Sequence, residues 1–538
     1  MRGRKLNITA IGRSAALRGA SAIRRGGISN SWLVTAAMSS AIGLLLVATG
    51  WAIARGHLSA LFTAVAVGGV CALAFTQRGA FIGVFVLASM NGIPYINTAR
   101  YISGHYTAQD LAICALLGAA LAWILADPEP YRPSRAGRIL MGAAMLLLLW
   151  CLFTVGRTIV EQHTSITQAA AFARDYLYFG LLLLVLPRVR LTGRDLGVLL
   201  GTLTVGVCLF ATVQTAVALG VGKPGSLIHV GHTLQQDGLT RVYSEMTDLV
   251  TAGLAFSLAA SLVAPSHTLR RAARPVALLL TVSVVVQLTR ARWIGLIAAF
   301  VLVSAWFMLY AGNNTTVSRL LRRRIVVVAV TIFALLVTVL VGFPGIVSSG
   351  PFFERITSIF SDIESGGGTV AVREAVTATM KRYLGGEWLT GLGFISPTVH
   401  YFRGLPAGSI EDPDLGVLNA VMPMGAIGAA LIYLCPLVIL IQAAGRSLGS
   451  SEYAWLRYGG AMWIVAVLTS SVTLVTLFSA SGLTLAAILL TVLAHPLVAG
   501  KRAPQPVSPD SRFARAPRPA RAHPARAIAG RAAGMRSR

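Results

Sequence analysis

Long apolar stretches, each separated from the next by a polar segment, recur along most of the chain. An apolar run of roughly 17–25 residues is the length of helix that crosses the hydrocarbon core of a bilayer. The sequence therefore predicts an all-α fold with about 14 membrane-spanning helices. Their predicted ranges are 33–54, 58–76, 79–97, 108–126, 138–158, 169–187, 195–220, 246–265, 274–290, 291–311, 324–343, 415–443, 455–476 and 479–498.

One long polar segment, residues 344–414, interrupts this pattern after the eleventh predicted helix. A connection of this length between two helices indicates a small domain or a lid with a function of its own. The predicted organisation is then a basic N-terminal segment at 1–32, helices within 33–343, the long segment at 344–414, helices within 415–498 and a disordered basic tail at 499–538.

The composition supports a membrane protein, because 55% of the residues are hydrophobic and only 12% are charged. The net charge of +27 comes from 46 Lys and Arg against 19 Asp and Glu. In a soluble protein this excess of basic residues would suggest that the protein binds nucleic acid. Here the basic residues cluster between apolar runs and at both ends, which is typical of loops beside anionic lipids. We therefore expect membrane lipids as partners and no nucleic acid.

The distribution of arginines predicts which loops are cytoplasmic. Residues 1–31 carry only basic charges, which places the N-terminus inside, and alternate loops then follow the positive-inside rule. The expected cytoplasmic arginines include Arg132, Arg135, Arg138, Arg188, Arg190, Arg194, Arg270, Arg271, Arg274, Arg319, Arg322, Arg323 and Arg324. This topology places 344–414 on the external face, together with eight of the 19 acidic residues.

Three polar groups of residues share the predicted external face. They are residues 237–248, which contain Arg241, residues 287–293, which contain Arg290 and Arg292, and the long segment itself. An arginine held at membrane depth is costly and usually has an anionic partner. Guanidinium suits phosphate because it stays charged and presents a rigid fork of donors.

Each of these arginines also has a simpler interpretation. Arg290 and Arg292 are placed where interfacial side chains snorkel toward water beside a tryptophan, here Trp293. Arg241 would pair with Glu245, four residues later, if this stretch were helical. The convergence of all three groups on one face favours a functional site over these alternatives.

Asp110, Arg174 and Asp175 also lie near the predicted external ends of helices. They either line the same cleft or pair with each other.

Residues 284–296 resemble the paired-helix signature of the O-antigen ligase and Wzy-type polymerase superfamily, in which a turn containing Leu, Thr, Ser and Arg joins two helices. Arg290 or Arg292 would supply the family arginine, and the family serine is missing. Arg241 matches an upstream arginine of the family. The resemblance covers roughly residues 200–445 in order and spacing.

Two further motifs of that superfamily have counterparts in the long segment. An arginine before a Gly-x-Gly turn matches Arg373 and residues 391–393. A His-led segment that enters a helix through Gly-x-x-Gly matches Asp414 and residues 425–428, so an Asp stands where many members have His.

The resemblance implies an integral-membrane glycosyltransferase of the GT-C-like kind in a bacterial plasma membrane. Such enzymes pass a glycan from undecaprenyl diphosphate to a glycan or lipid acceptor on the external face. They use no nucleotide sugar, and the better understood members use no metal, so no cofactor is expected. The loop holding Arg55 and His57 lacks the acidic pair of metal-dependent GT-C enzymes.

The expected roles follow from that chemistry. Guanidinium groups stabilise the leaving diphosphate, and a carboxylate or imidazole accepts the proton of the acceptor hydroxyl. The predicted catalytic residues are Asp414, Arg290 and Arg292, and the predicted substrate-binding residues are Arg241, Arg373, His400 and Asp412. Asp412 and Asp414 are alternatively an acidic pair at a helix N-terminus. A transporter or flippase, or a scaffold of an envelope-assembly complex, is the competing class.

Overall fold

The structure of the protein is a computed structural model. The described residues are 69, 77–93, 97–98, 101–103, 106–127, 131–221, 232–236, 239–287, 289–310, 323, 326, 368–394, 401–402, 405–406, 416–444, 452–472, 474, 477 and 479–498. The predicted helix at 33–54, almost all of those at 58–76 and 324–343, and the tail at 499–538 lie outside them.

The described chain is predominantly helical, which confirms the predicted class. Its helices are α1 Arg78–Ser89, α2 Ala108–Ala126, α3 Arg135–Gln162, α4 Ile166–Val185, α5 Gly193–Ala218, α6 Thr247–Val263, α7 His267–Val286, α8 Arg290–Tyr310, α9 Gly368–Leu384, α10 Leu418–Ala444, α11 Ala454–Ser470 and α12 Ala480–Ala494. Short antiparallel hairpins join some of them: β1 Tyr101–Ser103 with β2 Tyr106–Thr107, β3 His232–Gln236 with β4 Leu239–Tyr243, and β5 Tyr401–Phe402 with β6 Leu405–Pro406.

Six of the described helices are long and apolar enough to cross a membrane, which supports a membrane protein. They belong to α2, α3, α4, α5, α8 and α10. Helices α1, α6 and α12 are apolar but shorter. The total of about 14 spans and the external position of 344–414 stay predictions.

Polar caps explain why several helices begin where they do. Thr107 accepts a hydrogen bond from the backbone N–H of Asp110, and the Asp110 carboxylate accepts one from Thr107 in return. Thr192 and Asp195 form the same reciprocal pair at the start of α5. Such boxes satisfy N–H groups that a helix start leaves without partners. Helix α2 consequently begins at 108, as the hydrophobic pattern predicts.

Two predicted helices have different bounds in the structure. The helix expected over 79–97 ends at Ser89, because Asn91 adopts a positive φ of 55° and turns the chain. Helix α10 replaces the continuous helix predicted over 415–443, and its backbone is broken at Gly425. Hydropathy reports the length of an apolar run but not a local break within it.

The helices pack around a continuous apolar core. Helix α3 packs on α4 and α10, α1 packs on α2 and α5, and α6 packs between α7 and α11. Phe179, Phe210 and Tyr458 are fully buried in this core. On α3, by contrast, Leu146 and Leu149 are more than half exposed on one face. An apolar face without a protein partner among the described residues is expected where a helix contacts hydrocarbon.

The ion pairs lie at two opposite ends of this bundle. At one end Arg78, at the start of α1, contacts Asp127 after α2 at 3.3 Å. At the other end Arg292, at the start of α8, contacts Asp248, at the start of α6. The latter end holds most of the predicted site residues that the structure describes.

Candidate functional site

The centre of the candidate site is an ion pair between Arg292 and Asp248. The Arg292 Nη2 atom lies 2.9 Å from the Asp248 Oδ1 atom, and Nη1 donates to the Gln287 side-chain oxygen at 3.1 Å. The two charged side chains are only 14% and 12% exposed. The Arg292 Nε atom is buried and has no hydrogen-bond partner among the described residues. The Nε–H donor of the guanidinium is therefore unused within the described part of the chain.

This geometry decides between the two interpretations of Arg292. A snorkelling arginine extends its charge toward water, whereas Arg292 turns inward to a buried carboxylate. The Trp293 indole N–H likewise has a protein partner, since it donates to the Val284 carbonyl at 2.9 Å. Arg292 therefore has the anionic partner that is expected of an arginine held at membrane depth.

Buried amide and hydroxyl groups fix the turn between α7 and α8. The Gln214 side-chain oxygen of α5 accepts hydrogen bonds from the Ser283 hydroxyl at 2.7 Å and from the Gln287 amide at 3.2 Å. Gln287 in turn accepts from Arg292. The hydroxyl of Ser479, which caps α12, donates to Asp248. Residues of α5, α7 and α12 therefore hold in place the Arg292–Asp248 pair that joins α6 to α8.

A second group of charges adjoins the first. Arg174 of α4 lies 3.2 Å from Asp110 and 3.6 Å from Asp175, so these three residues pair with each other. The Gln109 amide donates to the Glu245 carboxylate. Burial raises the pKa of Glu245, and the negative charges of Asp175 and Asp248 raise it further.

We refer to these residues together as the polar network. Its members are Gln109, Asp110, Arg174, Asp175, Gln214, Glu245, Asp248, Ser283, Gln287, Arg292 and Ser479. Its carboxylates outnumber its guanidinium groups. Each of its two arginines forms an ion pair, Arg174 with Asp110 and Arg292 with Asp248. Within the described ranges, no group of three or more His, Cys, Asp or Glu side chains is arranged to hold a metal ion.

The other predicted arginines are placed by their backbone alone. Arg241 lies in β4 opposite Leu234, so it is in a strand, and a helical i,i+4 pair with Glu245 does not form there. Arg290 is the first residue of α8, two positions before Arg292. Arg373 lies within α9. His400, Asp412 and Asp414 fall outside the described residues, and the convergence of all these groups stays a prediction.

The Gly-x-Gly turn lies against the break in α10. We call residues 387–394 the docking segment. The Leu392 N–H donates to the Met422 carbonyl at 2.7 Å, and the Gly393 N–H donates to the Pro423 carbonyl at 3.0 Å. The Ala426 N–H donates in the opposite direction, to the Trp388 carbonyl at 2.8 Å. The docking segment thus supplies hydrogen-bond partners for backbone groups of α10 that the break leaves without partners inside the helix.

Glycine is required on both sides of this contact. Gly425 has φ 68° and ψ −179°, a conformation that only glycine adopts readily. A Cβ atom on Gly425 would lie 2.1 Å from the Leu389 carbonyl oxygen. Gly391 has φ +73°, and a Cβ atom there would lie 2.4 Å from the Gly425 nitrogen. The two backbones therefore approach more closely than side chains allow.

Helix α3 holds the docking segment from the other side, which sequence analysis missed. Arg157 donates to the Gly391 carbonyl at 2.8 Å and forms an ion pair with Glu387. Gln162 donates to the Leu392 carbonyl at 2.7 Å. The available signal was an arginine, a glutamate and a glutamine in the last turns of an otherwise apolar helix. Arg157 also pairs with Glu161 four residues later, but the partners of Arg157 and Gln162 in the docking segment lie some 230 positions away and left no local pattern.

No protein-family model matches the chain, and no curated protein matches it. The resemblance to O-antigen ligases and Wzy-type polymerases therefore depends on the short motifs described above. Two of those motifs coincide with structural features of this chain: the turn before Arg292 and the glycines of the docking segment.

Proposed function

We propose that the protein is an integral-membrane glycosyltransferase acting on the external face of a bacterial plasma membrane. It transfers or polymerises a glycan carried on undecaprenyl diphosphate. The observation that carries this proposal is Arg292, a buried guanidinium at a helix junction, held by Asp248 and Gln287 with its Nε donor left over.

The proposed reaction exchanges one bond at the anomeric carbon. The bond from that carbon to the diphosphate oxygen breaks, and a bond to the acceptor hydroxyl oxygen forms. The diphosphate leaves with the bonding electron pair, so negative charge develops on it, and preorganised guanidinium groups stabilise that charge. Arg292 supplies one such group, and Arg241 and Arg290 are the proposed others.

The acceptor proton goes to a base, for which Asp414 is the first candidate, with Glu411, Asp412 and His400 as alternatives. Gly416, two residues after Asp414, packs against the end of α11, where its Cβ would meet the Ser471 carbonyl oxygen at 2.2 Å. Ser479, which follows on the same connection, donates to Asp248. These contacts support a base close to the polar network.

The test is a transfer assay with the purified full chain in nanodiscs and an undecaprenyl diphosphate-linked glycan as donor. Arg241→Ala, Arg290→Ala, Arg292→Ala and Asp414→Ala are compared with wild type. Loss of a preorganised charge-stabilising group is expected to lower turnover about 100-fold or more. Arg138→Ala, an exposed arginine at the start of α3, is the matched control and should retain turnover. Full turnover in all four variants would refute the proposed site.

A transporter or flippase of the same lipid is the second candidate. The broken helix α10 favours it, because discontinuous helices form many transport sites. The assay separates the two functions: in sealed proteoliposomes, a flippase moves a labelled lipid-linked glycan between leaflets without changing the glycan. A transferase releases undecaprenyl diphosphate and yields a glycosylated acceptor.

A further inference from the structure

An apolar cavity away from the polar network lies between α5, α6 and α7. Its volume is about 170 Å³, and its walls include Leu203, Phe256, Ala273, Leu280 and Trp455. An apolar cavity of roughly 150 Å³ stays dry and admits small hydrocarbons. The size and lining of this cavity therefore suit part of a hydrocarbon chain.

The hydroxyl groups in its wall do not call for water. Thr204 donates to the Leu200 carbonyl at 2.7 Å, and Ser257 donates to the Leu254 carbonyl at 3.1 Å. Both hydroxyl donors are satisfied within their own helices. A water molecule in the cavity would find few of the two to four polar partners that it needs.

The rim of the cavity opens sideways, between α5 and α7. Thr204 and Ala272, on its two edges, are exposed, and Leu269 is 36% exposed. Val205, beside the rim, is 70% exposed. Helix α5 is long and apolar enough to cross a membrane, so we expect its exposed apolar residues to face lipid and an acyl chain to reach the cavity from that side.

Positive charge surrounds the end of α7 that contributes to this rim. Arg270, Arg271 and Arg274 lie in its first turns, which contain no acidic residue. None of the three forms an ion pair with a residue in the described helices. Cations are unfavourable at a helix N-terminus, where the helix dipole is positive, so an external anion would stabilise them.

We propose that this cavity binds one acyl chain of an anionic glycerophospholipid whose phosphate meets the arginines of α7. Leu269 and Ala273 line the cavity within the same two turns that carry Arg270 and Arg274, so one lipid reaches both features. This site does not depend on the proposed glycosyl transfer, since it shares no residue with the polar network.

Tryptophan fluorescence offers a direct test, because Trp455 lines the cavity. The full chain in detergent is titrated with phosphatidylglycerol or phosphatidylcholine bearing brominated acyl chains, which quench nearby tryptophan. The Trp455→Phe variant identifies the part of the quenching due to Trp455. The quenching due to Trp455 should saturate as lipid is added. Saturation should need about tenfold less phosphatidylglycerol than phosphatidylcholine, because several arginines attract the anionic headgroup.

Variants separate the chain site from the headgroup site. Replacing Arg270, Arg271 and Arg274 by Gln should bring phosphatidylglycerol to the level of phosphatidylcholine. Ala273→Leu, and independently Ser257→Leu, should reduce quenching by both lipids while thermal unfolding stays cooperative. Arg138→Gln is the control, because no α3 residue lines the cavity.

Two results would overturn the proposal. One is the absence of any quenching that depends on Trp455. The other is equal affinity for the two lipids, unaltered by the arginine substitutions.

Discussion

At the scale of single residues, the Arg292–Asp248 pair has a role in stability and a proposed role in glycosyl transfer, and experiment can separate the two. Arg292→Gln would leave Asp248 buried without a counter-charge, and breaking a buried ion pair costs about 3–5 kcal/mol. The double variant Arg292→Gln with Asp248→Asn leaves no charge and should recover most of that stability. Glycosyl transfer should stay low in both variants. Thermal unfolding in detergent and the transfer assay provide the two measurements.

Arg138→Gln serves again as control, since that arginine is exposed and should change neither property. If the double variant were as unstable as Arg292→Gln alone, the cost would not come from an isolated charge. If the double variant retained full turnover, the pair would be structural only.

Glu245 predicts a dependence of stability on pH. Burial raises the pKa of its carboxyl group in the folded protein. The folded state then binds more protons than the unfolded state just above the ordinary pKa of glutamate, so stability decreases as pH rises through that window and the raised pKa. Glu245→Gln keeps an oxygen that can accept from Gln109 and should weaken this dependence. The test is to measure the unfolding temperature from about pH 4 to about pH 8, a range that begins near the ordinary pKa of glutamate.

The expected result for Glu245→Gln is a higher unfolding temperature than wild type at the upper end of that range, with little difference at the lower end. Glu161→Gln is the control, because Glu161 is half exposed and pairs at the surface of α3. A wild-type protein that becomes more stable as pH rises through this window would contradict the assignment to Glu245.

At the scale of elements, the break in α10 is the least replaceable feature. Gly425→Ala would place a Cβ atom against the Leu389 carbonyl in a conformation reserved for glycine, which costs about 1–3 kcal/mol before the clash is counted. Gly142→Ala, in the interior of α3 with open space around it, should instead stabilise by about 0.5–1 kcal/mol. Thermal unfolding measures both. Hydrogen exchange at residues 387–394 should increase in Gly425→Ala only.

The helices were largely predictable because apolar length and polar caps act locally. The prediction for 108–126 coincides with α2, and 291–311 differs from α8 by one residue at each end. The strand at Arg241 was missed although its signal is present in the sequence, where the dipeptide Asp237-Gly238 is typical of a hairpin turn. The break in α10 was not predictable, because its stabilising partners come from a remote segment.

The candidate site was predictable in part. The arginine at the α7–α8 turn followed from its motif, and its partner Asp248 lies in a segment that sequence analysis had singled out. The pairing of the two was not predictable, since it depends on the packing of α6 against α7. Arg157 was missed because Glu387 and Gly391 approach it only in the folded chain.

At the scale of the whole molecule, the two ends of the bundle predict opposite accessibility. In a variant lacking the five native cysteines, Lys381→Cys should react with a membrane-impermeant maleimide added outside intact cells. Arg138→Cys and Arg271→Cys should react only after the membrane is permeabilised, since the positive-inside rule places both in the cytoplasm. All three positions carry exposed side chains, so a failure to react reports the membrane side. Reaction of Lys381→Cys only after permeabilisation would invert the topology.

The contact between the docking segment and α10 also has a consequence for biogenesis. Residues 387–394 leave the ribosome before α10 does, yet α10 needs them to satisfy its carbonyls at Met422 and Pro423. Unsatisfied backbone groups are expensive in hydrocarbon. Because residues 387–394 are already synthesised when α10 emerges, we expect α10 to complete its packing by docking onto this earlier segment, so the segment acts as a template for the helix that follows it.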